Sequence, residues 1–281
     1  MNFSQTRYKE LLLKTMSEFI KVCDQNGIEY IGAYGTVLGA VRHKGLIPWD
    51  DDIDVFMTRE NYEKFLQLKK TLNGSGYEIV DLDNDGYYLP YAKFCDANTS
   101  IWEIENLPFV LGIFIDVFPL DFVEENDAEC VALRDEYIVL FRKYVRSKRS
   151  IRFADLLSLS GLKDFFKTVY YRKTVKKEML RNIENKIKNK RGPYRMYYRS
   201  MDKYSKSKFD ASWFDECIEV PYENFSIRIP KNYDAYLTQC YGNYMEPPPV
   251  EKRVSQHFHY FVDLDKRLSE EEIRKIKKQD H

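Results

Sequence analysis

The spacing of apolar residues predicts a core of short strands and a few helices in the first 125 residues. Residues 5–26 carry apolar side chains at helical spacing, which predicts an amphipathic helix that ends near Gly27. Two further helices are predicted, one over residues 36–43 and one that Thr58 caps and that runs to about residue 72. Short apolar or alternating runs predict the strands of a mixed sheet, at residues 28–33, 53–57, 77–81, 88–94, 99–104 and 113–118.

Beyond residue 126 the apolar pattern becomes mainly helical. Apolar side chains such as Leu133, Tyr137 and Tyr144 recur at helical spacing. The pattern predicts helices over residues 127–149, 160–190 and 195–207, a strand over 225–229, a helix over 232–240 and a charged surface helix from Ser269.

The two patterns together predict a fold of the α/β (α+β) class. Residues 1–125 are expected to form a mixed-sheet core with helices. Residues 126–281 are expected to form a largely helical region that packs on this core and closes the site. Because the connection between the parts is short, one compact unit is expected.

Four carboxylates lie within five residues, at Asp50, Asp51, Asp52 and Asp54. Ile53 alternates with Asp52 and Asp54, which is the period of a strand, so these two carboxylates are expected on one face and Asp51 on the other. Two hard oxygen ligands on one rigid edge suit Mg²⁺ or Mn²⁺ beside substrate phosphates. The alternative is a solvated acidic edge of a surface strand.

A glycine-containing turn lies just upstream of the carboxylates. Gly35 and Thr36 fall where the predicted strand meets the predicted helix. Glycine lets backbone N–H groups approach a phosphate, and a helix N-terminus favours anions. Thr36 is expected either to cap the helix or to donate its hydroxyl to a phosphate oxygen. Arg42 and Lys44 follow as candidate phosphate ligands, with partnership to the helix dipole as the alternative.

A third carboxylate, Asp116, lies inside an apolar run that reads GIFIDVFPLD. An aspartate between Ile115 and Val117 is costly to bury without a partner, and a shared metal ion would supply one. Asp121 lies beyond Pro119 and is expected in a turn.

These motifs resemble the signature of the LicD family, which includes phosphocholine transferases and is related to the fukutin proteins. The resemblance rests on Gly35-Thr36 and on residues 38–45 and 47–54, which read LGAVRHKG and IPWDDDID. It continues around Tyr91-Ala92-Lys93 and returns near Tyr241-Gly242-Asn243-Tyr244. Matching segments lie at roughly residues 28–122 and 220–260, whereas residues 126–215 show no useful resemblance.

The resemblance implies a nucleotidyltransferase-like fold and assigns roles to particular residues. Asp52, Asp54 and Asp116 would be catalytic residues and ligands of Mg²⁺ or Mn²⁺. Gly35 and Thr36 would hold a phosphate, with cations nearby at Arg42, Lys44 and Lys93. A choline headgroup would need aromatic faces, for which the candidates are Trp49, Trp102 and Tyr241.

The implied reaction transfers phosphocholine, or a related phospho-alcohol, from a CDP-alcohol such as CDP-choline. The acceptor would be a sugar hydroxyl of a cell-surface glycan precursor, as in teichoic acid, lipopolysaccharide or capsule, and CMP would leave. Two alternatives remain open. One is a nucleotidyltransferase that moves NMP from an NTP, and the other is a catalytically silent scaffold of the same fold.

Charge and composition bear on partners and location. The 44 basic and 44 acidic residues balance, and no nucleic-acid motif is present, so no nucleic-acid partner is expected. Residues 142–191 hold 17 Lys or Arg against 4 Asp or Glu, which suggests either a solvated face or contact with anionic membranes. No apolar run reaches the length of a membrane span, no signal peptide is evident, and the five cysteines are scattered. A cytoplasmic protein is therefore expected, with peripheral contact at the inner face of the membrane.

Overall fold

A seven-stranded mixed sheet forms the centre of the described part of the chain, which in the computed structural model comprises residues 4–72, 74–151, 156, 158–200, 203–255 and 259–279. The strands are β1 (Ile31–Gly32), β2 (Asp54–Thr58), β3 (Tyr77–Val80), β4 (Ala92–Asp96), β5 (Ser100–Trp102), β6 (Phe114–Val123), β7 (Tyr194–Met196), β8 (Lys208–Asp210), β9 (Cys217–Tyr222), β10 (Phe225–Pro230) and β11 (Phe261–Asp263). The helices are α1 (Gln5–Gln25), α2 (Tyr34–His43), α3 (Arg59–Gln67), α4 (Ala128–Lys148), α5 (Leu159–Thr174), α6 (Lys177–Ile187), α7 (Tyr204–Ser207), α8 (Tyr233–Tyr241) and α9 (Glu270–Gln279). The predicted α+β class is confirmed.

The long strand β6 organises the sheet. It pairs with β2 in parallel, with β4 in antiparallel over its first half, and with β7 in antiparallel over its last residues. The spatial order is β1-β2-β6-β4-β3, with β7 and β8 added beside the end of β6. Two small antiparallel pairs, β9 with β10 and β5 with β11, lie outside this sheet.

Helix α1 covers the sheet, as its apolar spacing predicts. Leu12, Met16 and Phe19 are fully buried. The ring of Phe19 lies 5.7 Å from that of Phe94 on β4 and 5.3 Å from that of Tyr30. These aromatic contacts join α1 to β4 and to the residue that precedes β1.

The helix starts were predicted unequally well. Thr58 caps α3, with its hydroxyl accepting the Asn61 N–H at 3.4 Å, which confirms that prediction. The predicted cap at Thr36 is wrong, since α2 begins at Tyr34 and its N-cap is Ala33. The Thr36 hydroxyl instead accepts the backbone N–H of Asp54 at 2.8 Å, a tertiary contact that no local pattern encodes.

The helical half departs from prediction in two places. The single helix expected over residues 160–190 is divided at Val175, which is buried in extended conformation between α5 and α6. The helix expected over 195–207 is wrong, because that stretch begins with β7 and ends with the short helix α7, while residues 201–202 lie outside the described ranges. Pairing of β7 with β6 overrides the local helical pattern there.

Asp121 does not lie in a turn, as the sequence suggested, but within β6. Pro119 is tolerated inside this strand because residues 118–120 pair with neither β4 nor β7, and an open edge accepts proline. Asp121 is 4% exposed and accepts two hydrogen bonds from Arg59, at 2.8 and 2.5 Å. This bidentate ion pair ties the start of α3 to the end of β6.

Replacing Asp121 with asparagine is expected to destabilise the protein by about 3–5 kcal/mol, because the Arg59 cation would lose its partner at a nearly buried site. Thermal unfolding measures the loss, at roughly 2–4 °C per kcal/mol for a chain of this size. The matched control is Glu60→Gln, which breaks the exposed pair of Glu60 with Lys64. That change should cost less than about 1 kcal/mol. Equal effects of the two substitutions would contradict the assignment.

No helix in the described ranges has both the length and the apolar character needed to cross a lipid bilayer.

Candidate active site

The structure brings Asp54, Asp116 and Lys93 into one row across three neighbouring strands. Asp54 on β2 is paired in register with Asp116 on β6, and Asp116 is paired with Lys93 on β4. Side chains of paired residues emerge on the same face of a sheet, so the three lie side by side. We call Asp54, Asp116 and Lys93 the carboxylate row.

Asp52 precedes β2 rather than lying on it, because the strand begins at Asp54. It still lines the same cavities as Asp54. Asp50, Asp51 and Asp52 each place one carboxylate oxygen within 4.8 Å of the others. Asp51 is predicted to lie off the face of Asp52 and Asp54, and it lines neither of the two cavities that those residues share; its Oδ2 accepts the Ser255 hydroxyl at 2.5 Å.

Asp54 lies among like charges. Burial raises its pKa well above the usual value, and the negative charges of Asp52, Asp116 and Asp50 raise it further. The positive charge of Lys93 acts in the opposite direction. A cation near Asp54 would relieve the repulsion that the sequence concentrates here.

Lys93 is buried, with 1% of its surface exposed, and its ammonium lies 2.7 Å from Asp116 Oδ1. Glu103 lies 3.9 Å away and the ring centre of Phe114 only 3.2 Å. Burial alone would lower the pKa of Lys93, but the attraction of Asp116 and Glu103 outweighs it, and the pKa lies above its usual value. The Lys93 ammonium therefore pairs with the Asp116 carboxylate. The phosphate-binding role that the sequence suggests for Lys93 stays a prediction.

The turn at Gly35 is held by one hydrogen bond to β2 and one to α8. Thr36 Oγ1 accepts the Asp54 N–H, and the backbone of Tyr34 (φ 43°) donates to the Tyr236 hydroxyl at 2.9 Å. A Cβ atom at Gly35 would lie 2.8 Å from Asp50 Oδ2. Glycine is thus needed at residue 35 because the Asp50 carboxylate approaches its backbone closely.

Gly35→Ala is expected to displace Asp50 and to lower kcat/KM by about tenfold or more, with little change in unfolding temperature. A displacement of about an ångström near reacting groups costs rate on that scale. The control is Gly32→Ala, whose added Cβ would meet its neighbours at ordinary distances of 3.4–3.6 Å. Steady-state kinetics on both variants decides the point. Full activity of Gly35→Ala would show that the turn does not need glycine.

A cavity of about 530 Å³ opens on the glycine side of Asp52 and Asp54, and we call it the Trp49 cavity. Three further candidates from the sequence line it: Arg42, Trp49 and Tyr241. Two guanidinium groups flank the Trp49 ring, those of Arg42 at 6.0 Å and Arg253 at 5.2 Å from its centre. Arg42 also donates to the Tyr244 carbonyl at 2.7 Å, so the C-terminal segment after α8 forms one wall.

Lys44 and Trp102 are placed away from this cavity. Lys44 ends α2 in left-handed conformation, and its exposed side chain lies 3.4 Å from the Val41 carbonyl. Trp102 is fully buried in a separate cluster with Phe261 and Ile273. The proposed contact of Trp102 with a choline headgroup is therefore wrong, because its ring has no exposed face.

A second cavity, of about 390 Å³, shares Tyr34, Asp52 and Asp54 with the first and adds Asp116, and we call it the Asp116 cavity. Its wall is aromatic. The ring centre of Phe118 lies 4.6 Å from that of Tyr91 and 4.7 Å from that of Tyr197. The Asp52 and Asp54 carboxylates thus lie where two cavities meet.

Glu223 and Arg199 are two residues near the site that sequence reasoning missed. Glu223 occupies the β9–β10 turn, and its carboxylate accepts the Leu46 N–H at 3.0 Å, which shapes the loop before the carboxylates. Arg199 is 6% exposed, contacts Glu184 and lines the Asp116 cavity. Both act through contacts between distant segments, for which a single sequence carries no periodic signal.

The residues present fit a small divalent cation. Asp50, Asp51 and Asp52 place carboxylate oxygens within 4.8 Å of one another, Asp54 is paired with Asp116 on the neighbouring strand, and such hard oxygen atoms suit a small divalent cation. Asp52, Asp54 and Asp116 would hold it, with Asp50 as a further oxygen donor at the glycine turn.

The chain is similar in sequence to known proteins. Residues 27–158 match the model of the LicD/FKTN/FKRP nucleotidyltransferase domain. The chain is 26% identical over 249 residues to a protein of Haemophilus influenzae named lipopolysaccharide cholinephosphotransferase LicD, covering 87% of this chain and 92% of that protein. An uncharacterised protein of Rickettsia typhi is 34% identical over 116 residues, which are 41% of this chain and 36% of that protein.

The matched domain contains the glycine turn, all of Asp50 to Asp54 and the whole carboxylate row. The similarity to the Haemophilus protein extends over most of the remaining chain as well. Residues 27–158 therefore match the LicD/FKTN/FKRP nucleotidyltransferase domain, and most of the chain is similar to a protein named as a LicD cholinephosphotransferase.

Proposed function

We propose that the chain transfers phosphocholine, or a related phospho-alcohol, from a CDP-alcohol to a sugar hydroxyl of a cell-surface glycan precursor. The coarse activity, that of a LicD-family transferase, rests on the family domain and on the cholinephosphotransferase relative. The observation that carries the finer proposal is the meeting of two cavities at Asp52 and Asp54, as a reaction between two bound substrates requires.

The Trp49 cavity is proposed to bind the donor. Its walls combine the backbone at Gly35 with a cation, Arg42, and with the aromatic rings of Trp49 and Tyr241. A diphosphate is attracted by the guanidinium and by the positive end of the α2 dipole. A quaternary ammonium headgroup is attracted by aromatic faces. Arg42 and Arg253 already lie near the Trp49 ring, so Tyr241, which is 43% exposed, is the better candidate for the headgroup.

The Asp116 cavity is proposed to receive the acceptor. Its wall of Tyr91, Phe118 and Tyr197 suits the apolar faces of sugar rings. Asp116 and Asp54 lie at its inner end, where the acceptor hydroxyl would meet the donor phosphorus. The Lys93 ammonium lies 2.7 Å from Asp116 Oδ1 and holds this carboxylate in place, and Asp116 is proposed to accept the hydroxyl proton.

The proposed step makes one P–O bond and breaks another. The acceptor oxygen attacks the phosphorus that bears the alcohol, its proton passes to Asp116, and CMP departs with the electron pair of the broken bond. A bound Mg²⁺ or Mn²⁺ would neutralise charge on the diphosphate and on the leaving phosphate. Positioning by the glycine turn, the carboxylates and the two cavities supplies the protein's share of catalysis.

The nucleotide products separate this proposal from its alternatives. The protein is incubated with Mg²⁺ and a glycan acceptor, and with either CDP-choline, CDP-ethanolamine or CTP, and the nucleotides are separated by chromatography. CMP from a CDP-alcohol, dependent on acceptor, is expected. Pyrophosphate from CTP with both CDP-alcohols inert would establish a nucleotidyltransferase, and no turnover of any donor would favour the silent scaffold. Reaction of CDP-ethanolamine but not of CDP-choline would support transfer from a CDP-alcohol and would exclude choline as the transferred alcohol.

Its place of action is proposed to be the cytoplasm, where the nucleotide donor and a lipid-linked precursor would both be accessible. This location rests on the scattered cysteines and the composition of the chain alone.

A further inference from the structure

Helix α5 carries a stripe of exposed apolar side chains. Leu159, Leu162, Phe166 and Tyr170 are 81, 37, 66 and 60% exposed. They are separated by three, four and four residues, so they follow one another along one side of the helix. We call these four residues the α5 stripe.

The opposite side of α5 is held by α4. Thr168, on the side away from the stripe, is 4% exposed, and its hydroxyl donates to the Asp164 carbonyl at 2.8 Å. Asp164 also contacts Arg146 of α4, and Arg172 Nε donates to the Ser147 carbonyl at 3.0 Å. The helix is therefore fixed with its stripe facing outward, and the stripe is not the side that completes the core.

Lysines border the stripe. Lys163 and Lys167 lie along one edge and Lys173 near its end, and all three are exposed. Within the described ranges none of the three has a carboxylate partner. Other basic residues of the segment are paired, since Lys177 and Arg181 contact Asp83 and Lys190 contacts Glu129. Lys163, Lys167 and Lys173 are thus among the basic residues of the described part of 142–191 that have no carboxylate partner, and these three lie beside the α5 stripe; Arg152 and Asp155 lie outside the described residues.

We infer that the α5 stripe lies in the interface of an anionic lipid bilayer, with Lys163, Lys167 and Lys173 on the phosphate headgroups. An apolar stripe of Leu, Phe and Tyr bordered by lysines is the composition of helices that lie in a membrane surface. Two copies of this chain meeting through the stripe would bring their lysines together, and like charges oppose such a contact. This inference is independent of the proposed reaction and does not require it.

The test is co-sedimentation of the whole protein with vesicles of phosphatidylglycerol and phosphatidylcholine, and with phosphatidylcholine alone. Binding to the anionic vesicles is expected, weakened but not abolished by high salt, because apolar contact is not screened. Leu162→Ser with Phe166→Ser should weaken binding by about tenfold or more. Lys163→Gln with Lys167→Gln should weaken it at low salt and reduce its dependence on salt.

Matched controls come from the same molecule. Val139→Ser replaces an apolar residue on α4 that is 50% exposed, and Lys206→Gln replaces an exposed lysine on α7. Both should bind vesicles as the unaltered protein does. A Phe166→Trp variant should show a blue-shifted emission with anionic vesicles only.

Absence of sedimentation at low salt would overturn the inference, as would equal losses in the control and stripe variants. Light scattering supplies a further check, because a dimer that Phe166→Ser dissociates would show that a second copy covers the stripe instead.

Discussion

Replacing Asp54 with asparagine is expected to reduce turnover on the order of 10³-fold, or about 4 kcal/mol in activation free energy, while the fold is retained. Asp54 is half-buried beside the other carboxylates, and desolvation and the charges of Asp52, Asp116 and Asp50 all raise its pKa. The amide cannot supply a charged oxygen to a cation. Asp52→Asn should act in the same direction, since Asp52 lines both cavities.

The same substitutions, although they lower turnover, are not expected to lower stability in the absence of a divalent cation. Without divalent cation, removing one charge from the crowded group relieves repulsion, so Asp54→Asn should unfold at the same or a higher temperature than the unaltered protein. With Mg²⁺ the unaltered protein should gain stability and the variant should gain less. Calorimetry with Mg²⁺ and with a chelator measures both, and Glu60→Gln is the control carboxylate. Unchanged turnover in either aspartate variant would end the metal assignment.

Replacing Lys93 with methionine is expected to destabilise the protein by about 3–5 kcal/mol and to reduce activity strongly. The change removes the ammonium at 2.7 Å from Asp116 and leaves that carboxylate buried beside Asp54. Methionine keeps much of the side-chain volume, so the loss reports the charge rather than a cavity. Denaturant unfolding and steady-state kinetics measure the two effects.

A double variant separates the two roles of Lys93. Lys93→Met with Asp116→Asn removes both charges, and much of the lost stability should return because no buried charge is left unpaired. Activity should stay lost, since Asp116 is proposed to act on the acceptor. If the double variant were as unstable as Lys93→Met alone, the ion pair would not be the cause of the instability.

Local patterns predicted the elements near the site well. The apolar spacing of residues 5–26 placed α1 correctly, and the alternation around Ile53 located β2 to within one residue. Asp116 was predicted to need a partner because it lies among apolar residues, and the structure pairs it with Asp54 and Lys93. In these cases the chemistry is contained in a short run of residues.

What the sequence missed depends on contacts between distant segments. The sequence carries no sign of the Lys93–Asp116 ion pair, because nothing local shows that β4 lies beside β6. Asp121 was placed in a turn because Pro119 usually ends a strand, whereas an open edge of β6 accepts it. The need for glycine at Gly35 was foreseen for a phosphate, but the atom that approaches its backbone is Asp50 Oδ2. The residue types indicate the chemistry of the site. Which side chains lie next to one another, such as Asp54, Asp116 and Lys93, is determined by strand pairing in the sheet.

Phosphorus NMR of a complete reaction mixture tests the central claim most directly. With Mg²⁺, CDP-choline and a glycan acceptor, the diphosphate signals should disappear while CMP and a new phosphodiester signal on the glycan appear at equal rates. The Asp54→Asn protein should leave CDP-choline unchanged under the same conditions. Formation of pyrophosphate from an NTP while CDP-choline stays intact, or equal turnover by the Asp54→Asn protein, would contradict phosphocholine transfer at this site.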